Sequence, residues 1–422
     1  MIRDVLIGQR REIERIRKEK YVKRDIRIPG ERSNLIKVIM GPRRSGKSYF
    51  AVHFLNRLGN FGYVNFDDER LVGTKDYDDI VENVKQIYNH PKILLLDEIQ
   101  NLDRWELFVN RLQRQGFNLF ITGSNSKLLS QELATVLTGR HFEVFVFPFS
   151  FREYLVAKTG KEPKELPTSE IKSMVYNYVS LGGFPEPLMK DLDHKSYLST
   201  LFDSILYKDI VKRYRIRYPK EIEELAYTLI SNHSREISLN KIKKLASLRS
   251  IVTVKKYLSY LEEAFLVFQI KRFSWKVKEQ IKMPRKIYVI DNGFIHAKAF
   301  KPSEDYGYLF ENIVAIELKK REIQKMMDVF YYKSMLRGYE VDFVIKEGHK
   351  IKELIQVCYR TDEDAKKRET RSLLHASREL KCKNLTIITD DYEGEEEAKW
   401  FGTQRKIKFL PLWKWIVTLD KT

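Results

Sequence analysis

The amino-acid sequence predicts an α/β protein that opens with a parallel β-sheet flanked by helices and continues into two further domains. Three observations support this fold class. Residues 35–40, which are apolar except for Lys37, and the continuous apolar run at residues 93–96 are typical of parallel strands that are buried on both faces. The chain has 422 residues, which is too many for one hydrophobic core. The order of the predicted elements also changes near residue 284.

The composition is that of a folded protein with an excess of basic side chains. Hydrophobic residues make up 43% of the chain and charged residues 32%, and the formal net charge is +19. Residues 205–286 contain 20 Lys or Arg and 8 Asp or Glu, so this segment alone carries a net charge of +12. A concentrated excess of this kind favours contact with a polyanion such as nucleic acid over a uniformly solvated basic surface.

The cellular location is predicted from what the sequence lacks. Cys358 and Cys382 are too few for a disulfide framework and do not form a CxxC pair, which favours a reducing compartment. No uncharged apolar run approaches the roughly 18 residues of a membrane span, and the first residues do not resemble a signal peptide. We therefore expect a cytoplasmic protein without a membrane partner.

The first apolar run is followed by a phosphate-binding loop signature. Residues 41–48 match GxxxxGKS and precede a helix-compatible segment, so strand, loop and helix follow in the order that this motif requires. Gly41 and Gly46 would let backbone N–H groups face phosphates. The Lys47 ammonium would neutralise the β and γ phosphates, and the Ser48 hydroxyl would ligate Mg²⁺. The predicted binding residues for ATP are Gly41, Pro42, Arg43, Arg44, Ser45, Gly46, Lys47, Ser48 and Tyr49.

The second apolar run ends in two acidic residues, Asp97 and Glu98. Ligands bind at the carboxyl ends of parallel strands, so both carboxylates are expected beside the phosphate-binding loop. Asp97 is placed to hold Mg²⁺ through water, and Glu98 to orient or deprotonate the attacking water. The sequence therefore predicts a Mg²⁺-dependent ATPase with ATP and Mg²⁺ as cofactors and with Glu98 and Lys47 as catalytic residues.

Further catalytic residues are predicted downstream of these motifs. Residues 117–122 indicate another strand, after which Ser124 or Asn125 could sense the γ-phosphate; either residue could equally cap a helix. Arg140 is a candidate arginine finger, a role that would require a neighbouring copy in an oligomer. The competing candidates for this role are Arg43, Arg44 and Arg152.

Taken together, these motifs resemble those of the AAA+ superfamily ATPases of archaea and bacteria that carry a C-terminal domain of unknown function. The resemblance rests on GPRRSGKS, LLLDEIQ, TGSNSKLLS, TGR and FPFSFREYL in that order, and on the later segments LGGFPE, DNGF, GYLFEN and EVDFV. It implies that residues 41–48 are the Walker A motif, that Asp97 and Glu98 are the Walker B pair, and that Ser124 or Asn125 is the first sensor. It also makes an oligomer possible, because AAA+ relatives are often rings.

The basic middle of the chain predicts a winged-helix-like domain at residues 206–283. Ser238 could cap a first helix, a second helix follows, and a strand near residues 265–273 could begin a wing. The candidate DNA-contacting residues are Arg249, Lys255 and Lys256 for phosphates and Ser250 or Thr253 for base edges. The alternative is a helical domain that packs against the ATPase or a protein partner.

Residues 284–422 resemble the restriction-endonuclease fold in their order of a helix, three strands, a long helix and a strand. Such nucleases hold Mg²⁺ with a helix Glu, a strand Asp and an E-x-K motif. The positions that match are Glu311, Asp342, Gln356 and, in place of the lysine, Cys358. Gln is a weaker Mg²⁺ ligand than carboxylate and Cys supplies no cation, so we expect no nuclease activity. Lys333 is the candidate to replace the missing lysine.

The sequence thus predicts three parts: an AAA+-type ATPase domain with a helical extension at residues 1–205, a basic winged-helix-like domain at 206–283, and a restriction-endonuclease-like domain at 284–422. The leading hypothesis is an ATP-hydrolysing conformational switch associated with nucleic acid, DNA in the first place. The alternatives are an ATP-dependent nuclease with a degenerate metal site and an ATP-gated module that binds another protein.

Overall fold

The computed structural model describes residues 2–71, 73–74, 76–124, 141–299, 306–325, 327–334 and 338–419. The chain forms two compact units, each treated separately below. The first unit comprises Met1–Pro148 with Glu263–Phe265, and the second comprises Phe149–Glu262 with Leu266–Thr422.

A five-stranded sheet, in which every pair of neighbours is parallel, forms the centre of the first unit. Its strands are β1 (Ile36–Met40), β2 (Phe61–Asn65), β3 (Ile93–Asp97), β4 (Asn118–Gly123) and β5 (His141–Phe145). The order across the sheet is β2-β3-β4-β1-β5. All residues of β1 are buried, as are four of the five in β3, which confirms the strands predicted from the two apolar runs.

The helices of the first unit pack against this sheet with their apolar residues. They are α1 (Ile2–Ile16), α2 (Lys47–Asn56), α3 (Tyr77–Ile87) and α4 (Trp105–Arg114), with short 3₁₀ turns at Glu69–Leu71 and Ile99–Asn101. Asp76 caps the N-terminus of α3, since its carboxylate accepts a hydrogen bond from Asp79 N at 3.0 Å. No residue caps α2 in this way: Gly46, in a left-handed conformation, precedes it, so the first N–H groups of α2 are left for another acceptor.

A nine-stranded mixed sheet runs through the second unit. Its strands are β6 (Arg235–Ile237), β7 (Val267–Arg272), β8 (Arg285–Val289), β9 (Asp328–Lys333), β10 (Glu340–Glu347), β11 (Lys350–Cys358), β12 (Leu385–Thr389), β13 (Gly394–Trp400) and β14 (Thr403–Pro411). Their order is β13-β14-β12-β11-β10-β9-β7-β8-β6. The expected boundary at residues 283 and 284 falls between β7 and β8, which pair antiparallel, while β7 also pairs with β9 in parallel. The basic middle and the C-terminal region therefore share one sheet.

Helices flank this sheet and form the part of the second unit that precedes it. They are α5 (Phe151–Thr159), α6 (Thr168–Leu181), α7 (Pro185–Met189), α8 (His194–Ser204), a π-helix (Ile205–Lys212), α9 (Pro219–Ser231), α10 (Leu239–Leu245), α11 (Ile251–Glu263), α12 (Val277–Lys282), α13 (Asn292–Lys298), α14 (Tyr306–Lys325), α15 (Glu363–Glu379) and α16 (Leu412–Leu419), with a 3₁₀ turn at Pro163–Glu165. Across the described ranges, no helix has both the length and the apolar character needed to cross a membrane.

The two helices expected in the basic middle are confirmed as α10 and α11. Ser238 caps α10, because its hydroxyl accepts a hydrogen bond from Lys241 N at 3.2 Å. Ser250 accepts a hydrogen bond from Thr253 N at 3.0 Å, and the hydroxyls of these two residues lie 2.9 Å apart. Both hydroxyls are thus engaged at the start of α11, which differs from their predicted place at base edges.

The LGGFPE and DNGF segments form one buried junction in the second unit. The Asp291 carboxylate accepts hydrogen bonds from Gly183 N and Gly293 N, each at 2.8 Å, and burial raises the pKa of Asp291 to about 6. A Cβ atom on Gly182 would lie 1.8 Å from Asp291 Oδ1. The residues in these segments are therefore explained by close packing between chain segments rather than by chemistry.

Candidate functional site

The phosphate-binding loop of the first unit connects β1 to α2 by a turn that needs glycine. Gly46 has φ 92° and Arg44 has φ 64°, both in the left-handed region. A Cβ atom on Gly41 would lie 2.1 Å from the Val146 carbonyl oxygen. This backbone leads directly into the N-terminus of a helix, which is a ready site for anions such as phosphate.

Two polar side chains of the loop fit an anionic ligand. Lys47 is only 4% exposed, and its Nζ donates hydrogen bonds to the carbonyl oxygens of Gly41 at 3.2 Å and Pro42 at 3.0 Å. The Ser45 hydroxyl is buried and has no hydrogen-bond partner within the described part of the chain. Because buried polar groups are normally satisfied, this hydroxyl indicates that the loop is shaped for a further polar partner.

Asp97, at the end of β3, is the acceptor for a group of hydroxyl donors. Ser48 Oγ lies 3.1 Å from Asp97 Oδ1, Tyr63 donates to Oδ2 at 3.0 Å, and Thr122 also donates to Oδ1. Burial, followed by the neighbouring charge of Glu98, raises the pKa of Asp97. The Ser48 hydroxyl and the Asp97 carboxylate are oxygen ligands of the kind that Mg²⁺ prefers, and the structure places them side by side.

Glu98 has a different environment from its neighbour. Its backbone is left-handed, with φ 49°, and its side chain is 18% exposed. Burial opposes ionisation, but the Lys47 ammonium at 3.7 Å and a hydrogen bond from Gln100 at 2.5 Å hold the pKa of Glu98 below its ordinary value. Glu98 is therefore a carboxylate at neutral pH. Ser124 Oγ, one of the two predicted sensors, donates to Glu98 Oε2 at 3.3 Å.

Thr122 is a site residue that the sequence reasoning missed. Its hydroxyl donates to Asp97 and accepts a hydrogen bond from Glu98 N at 3.0 Å. It reaches both acids because β4 lies between β1 and β3, so that the end of β4 meets the end of β3. A threonine at the end of an apolar strand, just before the predicted sensor, was the available signal.

Arg24 is a second missed residue, and it supports the loop from behind. Its guanidinium is buried and donates to the carbonyl oxygens of Ser45 at 3.0 Å and Phe147 at 2.6 Å. These bonds join the phosphate-binding loop to the segment after β5. No sequence pattern marks this arginine, because it lies well before β1 in the chain.

The candidate arginine fingers have different surroundings. Arg140 and the sensor candidate Asn125 lie outside the described residues. Arg43 lies 3.6 Å from the Asp67 carboxylate in the first unit. Arg152 belongs to the second unit, where Glu162 accepts two hydrogen bonds from its guanidinium, at 2.6 and 2.8 Å. Arg44 contributes its left-handed backbone to the loop.

The second unit contains a cavity of about 1280 Å³ that brings together the four nuclease-like positions. They are Glu311 on α14, Asp342 on β10, and Gln356 and Cys358 on β11. Burial, followed by the charge of Asp342, raises the pKa of Glu311 to about 8. The Cys358 Sγ donates to the Arg360 carbonyl oxygen at 3.0 Å, and burial raises the pKa of this thiol to about 11. Cys358 is therefore a neutral thiol and not a nucleophile.

Lys286 on β8 is a cation that lies among the acids of this cavity, and the sequence reasoning missed it. Its Nζ lies 3.0 Å from Glu311 Oε1 and 2.8 Å from Asp342 Oδ1. Burial alone would lower the pKa of Lys286, but the charges of the surrounding acids raise it well above its ordinary value. Lys333, the predicted substitute, instead pairs with Glu236 and lies 3.5 Å from Glu340. Lys286, rather than the predicted Lys333, therefore supplies the ammonium beside Glu311 and Asp342.

Comparisons with known proteins identify a domain in the part of the chain that contains this site. A family model described as an AAA domain matches residues 33–155, and two models of domains of unknown function, DUF8612 and DUF4143, match 173–305 and 306–415. The uncharacterized protein MJ1544 of Methanocaldococcus jannaschii is 38% identical over 421 residues, which span 96% of this chain and 93% of that protein. The chain belongs to the MJ1544 family.

A second relative with more than 30% identity covers most of the chain, and one solved structure is similar to part of it. An uncharacterized protein of Haemophilus influenzae is 32% identical over 399 residues, 90% of this chain and 95% of that protein. Among solved structures, the Walker-type ATPase PABY2304 of Pyrococcus abyssi matches with a TM-score of 0.43 and 15% identity, over 68% of this chain and 95% of that one. The family is thus found in an archaeon and a bacterium, and this member carries an AAA-type ATPase domain.

Proposed function

We propose that the protein hydrolyses ATP with Mg²⁺ at the site formed by the phosphate-binding loop, Asp97 and Glu98. The observation that carries this proposal is the contrast between the two acids. Asp97 is bound by the Ser48 hydroxyl, while Glu98 is ionised and lies 3.7 Å from Lys47. One acid is thus placed beside a metal-ligating hydroxyl and the other beside the phosphate-binding lysine.

Each residue has a role that follows from its contacts. Lys47 would leave the carbonyls of its own loop for the phosphate oxygens, which are stronger acceptors because they are charged. Ser48 and Asp97 would hold Mg²⁺, which, when bound, supplies positive charge to the β and γ phosphates. Glu98 would accept a proton from the attacking water, and Ser124 would orient Glu98 through their hydrogen bond.

The test is the rate of ATP hydrolysis by Glu98→Gln. We expect kcat to fall by on the order of 100-fold or more, because the amide keeps the shape of the side chain but cannot accept the proton. Glu82→Gln, an exposed glutamate of α3, is the matched control and should retain the wild-type rate. Equal rates for wild type and Glu98→Gln would remove Glu98 from the mechanism.

A second candidate function is the coupling of this ATPase to nucleic acid, and two observations favour it. The elements α9, β6, α10, α11, β7, the short helix α12 and β8 follow in chain order, and β6 and β7 both pair antiparallel with β8, an arrangement that supports a winged helix. Five exposed basic residues on α10, α11 and the turn between them have no carboxylate partner among the described residues: Lys241, Lys244, Arg249, Lys255 and Lys256. An unpaired basic surface of this kind is suited to phosphates.

Salt-dependent DNA binding tests this second function. We expect Lys255→Gln/Lys256→Gln to weaken binding and to lower the slope of log affinity against log salt by roughly 2, since two phosphate contacts are lost. Lys161→Gln/Lys164→Gln, two exposed lysines of another loop in the same unit, should leave the slope unchanged. Binding that is insensitive to salt and to both double variants would favour an ATP-gated protein interaction instead.

The link between the two functions is tested by ATP turnover with DNA added. Stimulation of kcat by DNA, absent in Lys255→Gln/Lys256→Gln, would support the switch. Turnover that ignores DNA would leave the ATPase proposal intact and would move the partner to another protein.

A further inference from the structure

We propose that the Lys286 ammonium takes the place of a divalent cation in the carboxylate cavity of the second unit, so that this site carries an internal cation and binds no metal. The nitrogen of Lys286 contacts three carboxylates directly. It lies 3.0 Å from Glu311 Oε1, 2.8 Å from Asp342 Oδ1 and 2.8 Å from Glu340 Oε1. These are the distances of charge-assisted hydrogen bonds.

The position of Lys286 explains why its charge is held there. The residue is 2% exposed, so its ammonium cannot be solvated by bulk water. A buried charge is tolerated when it is paired and hydrogen-bonded, and here the acids of α14 and β10 satisfy that need. The lysine thereby joins β8 to α14 and β10, which is the structural work that a metal ion would otherwise do.

Two of these acids also accept hydrogen bonds from other protein donors. Asp342 Oδ2 accepts a hydrogen bond from Val357 N at 2.9 Å. Tyr288, beside Lys286 on the same strand, donates its hydroxyl to Glu311 Oε1 at 2.7 Å. Mg²⁺ requires oxygen ligands at about 2.1 Å in octahedral geometry, so a metal ion would have to displace Lys286 and these donors together.

Gln356 does not complete a metal site. Its Oε1 accepts a hydrogen bond from Asp342 N at 3.2 Å, and its Nε2 donates to Glu369 Oε2 at 2.8 Å. The carbonyl that could have been a neutral ligand thus faces the backbone. Within the part of the chain that the structure describes, no group of three or more His, Cys, Asp or Glu residues is arranged to hold a metal ion. The donor set does not fit Mg²⁺.

The presence of Gln356 where nucleases of this fold have a glutamate is consistent with a single ammonium, that of Lys286, in the cavity. A glutamate at position 356 would add one negative charge to the cluster, and Gln356 adds none. The cluster therefore carries one negative charge fewer than it would with glutamate at this position, and Lys286 supplies one positive charge to it. The absence of the usual lysine at Cys358 is matched by a lysine that enters the cavity from β8.

Binding of Mn²⁺ to the full chain in the absence of nucleotide tests this proposal with two matched pairs. The first pair is wild type and Asp342→Asn, which should bind the same number of Mn²⁺ ions. The second pair is Lys286→Met and Lys286→Met/Asp342→Asn. We expect Lys286→Met to bind one more Mn²⁺ per chain than wild type does. The affinity of this added site should be at least about tenfold higher than that of any added site in Lys286→Met/Asp342→Asn. Any Mn²⁺ bound at the ATPase site contributes equally to wild type and to the three variants, because all four proteins retain Ser48 and Asp97.

Two results would overturn the proposal. One is a Mn²⁺ ion bound by wild type and lost in Asp342→Asn, since the cavity would then hold a metal beside Lys286. The other is a folded Lys286→Met that gains no Mn²⁺, since the ammonium would then not occupy a cation position. If thermal unfolding shows that Lys286→Met does not fold without metal, the wild-type pair decides alone.

Discussion

The ATPase site of the first unit and the carboxylate cavity of the second unit both combine a buried lysine with acidic side chains, but the lysine has different partners in each. In the first unit, Lys47 hydrogen-bonds backbone carbonyls and stays 3.7 Å from Glu98. In the second unit, Lys286 bonds Asp342 at 2.8 Å and Glu311 at 3.0 Å. The Lys47 ammonium can exchange neutral carbonyl oxygens for a charged ligand, whereas the Lys286 ammonium is already bonded to acidic side chains.

The acids differ in the same sense. Asp97 is bound by neutral hydroxyls, which can turn to accommodate a hydrated cation, whereas Asp342 is bound by an ammonium and a backbone N–H, which cannot. Lysine and carboxylates near each other are therefore not by themselves a sign of a catalytic site. The partners that neutralise them decide whether a ligand or a metal can enter.

The largest expected effect is on stability, and it compares the two lysines. Lys286→Met should lower the free energy of unfolding by about 3–5 kcal/mol, because it leaves buried acids without their cation. Lys47→Met should cost less, about 1–2 kcal/mol, because Lys47 donates to two neutral carbonyls and lies 3.7 Å from Glu98. Urea unfolding followed by tryptophan fluorescence can separate the units, since Trp105 is in the first unit and the other four tryptophans are in the second. An equal loss of unfolding free energy in Lys286→Met and Lys47→Met would contradict the proposed difference between the two lysines.

A second prediction concerns the backbone on which the ATPase site depends. Gly41→Ala should destabilise the first unit by roughly 2–4 kcal/mol and abolish nucleotide binding, because the new Cβ would meet the Val146 carbonyl oxygen at 2.1 Å. The matched control is Gly59→Ala, where φ is also positive but no atom lies within 4 Å. It should cost only about 1 kcal/mol of backbone strain and leave nucleotide binding intact. Nucleotide binding that survives Gly41→Ala would argue against a backbone cradle.

The smallest predicted effect is on the hydroxyls around Asp97. Tyr63→Phe should weaken the apparent affinity for Mg²⁺ in ATP hydrolysis by about tenfold, since it removes a donor that orients Asp97, the carboxylate that we propose holds the metal. Tyr88→Phe is the control, because the buried Tyr88 hydroxyl has no hydrogen-bond partner in the described structure. A titration of turnover against Mg²⁺ that moves equally in both variants would contradict a role for Tyr63.

The fold and site of the first unit were largely predictable because their signals are local in the chain. The β1 strand, the glycine loop and Ser48 follow one another directly, and the β3 strand ends in its two acids. Thr122 could not be assigned in the same way. Its contact with Asp97 depends on β4 lying between β1 and β3, a fact of sheet order that no local pattern contains.

The second unit was harder to predict because its key contact is long-range. Lys286 is 56 residues from Asp342 in the chain, and it reaches the cavity only because β7 pairs with both β8 and β9. The sequence favoured Lys333, which is near Asp342 along the chain but bonds Glu236 instead. The division at residue 283 and 284 followed a change in element order, which does not reveal that the two regions share a sheet. The restriction-endonuclease-like and winged-helix-like parts stay predictions.

The measurement that tests the central claim most directly is the number of Mn²⁺ ions bound per chain with a non-hydrolysable ATP analogue. We expect one analogue-dependent ion in wild type, lost in Asp97→Asn and kept in Asp342→Asn, because Asp97 lies beside Ser48 of the phosphate-binding loop whereas Asp342 is already bonded to Lys286. Loss of that ion in Asp342→Asn, or its retention in Asp97→Asn, would contradict the account.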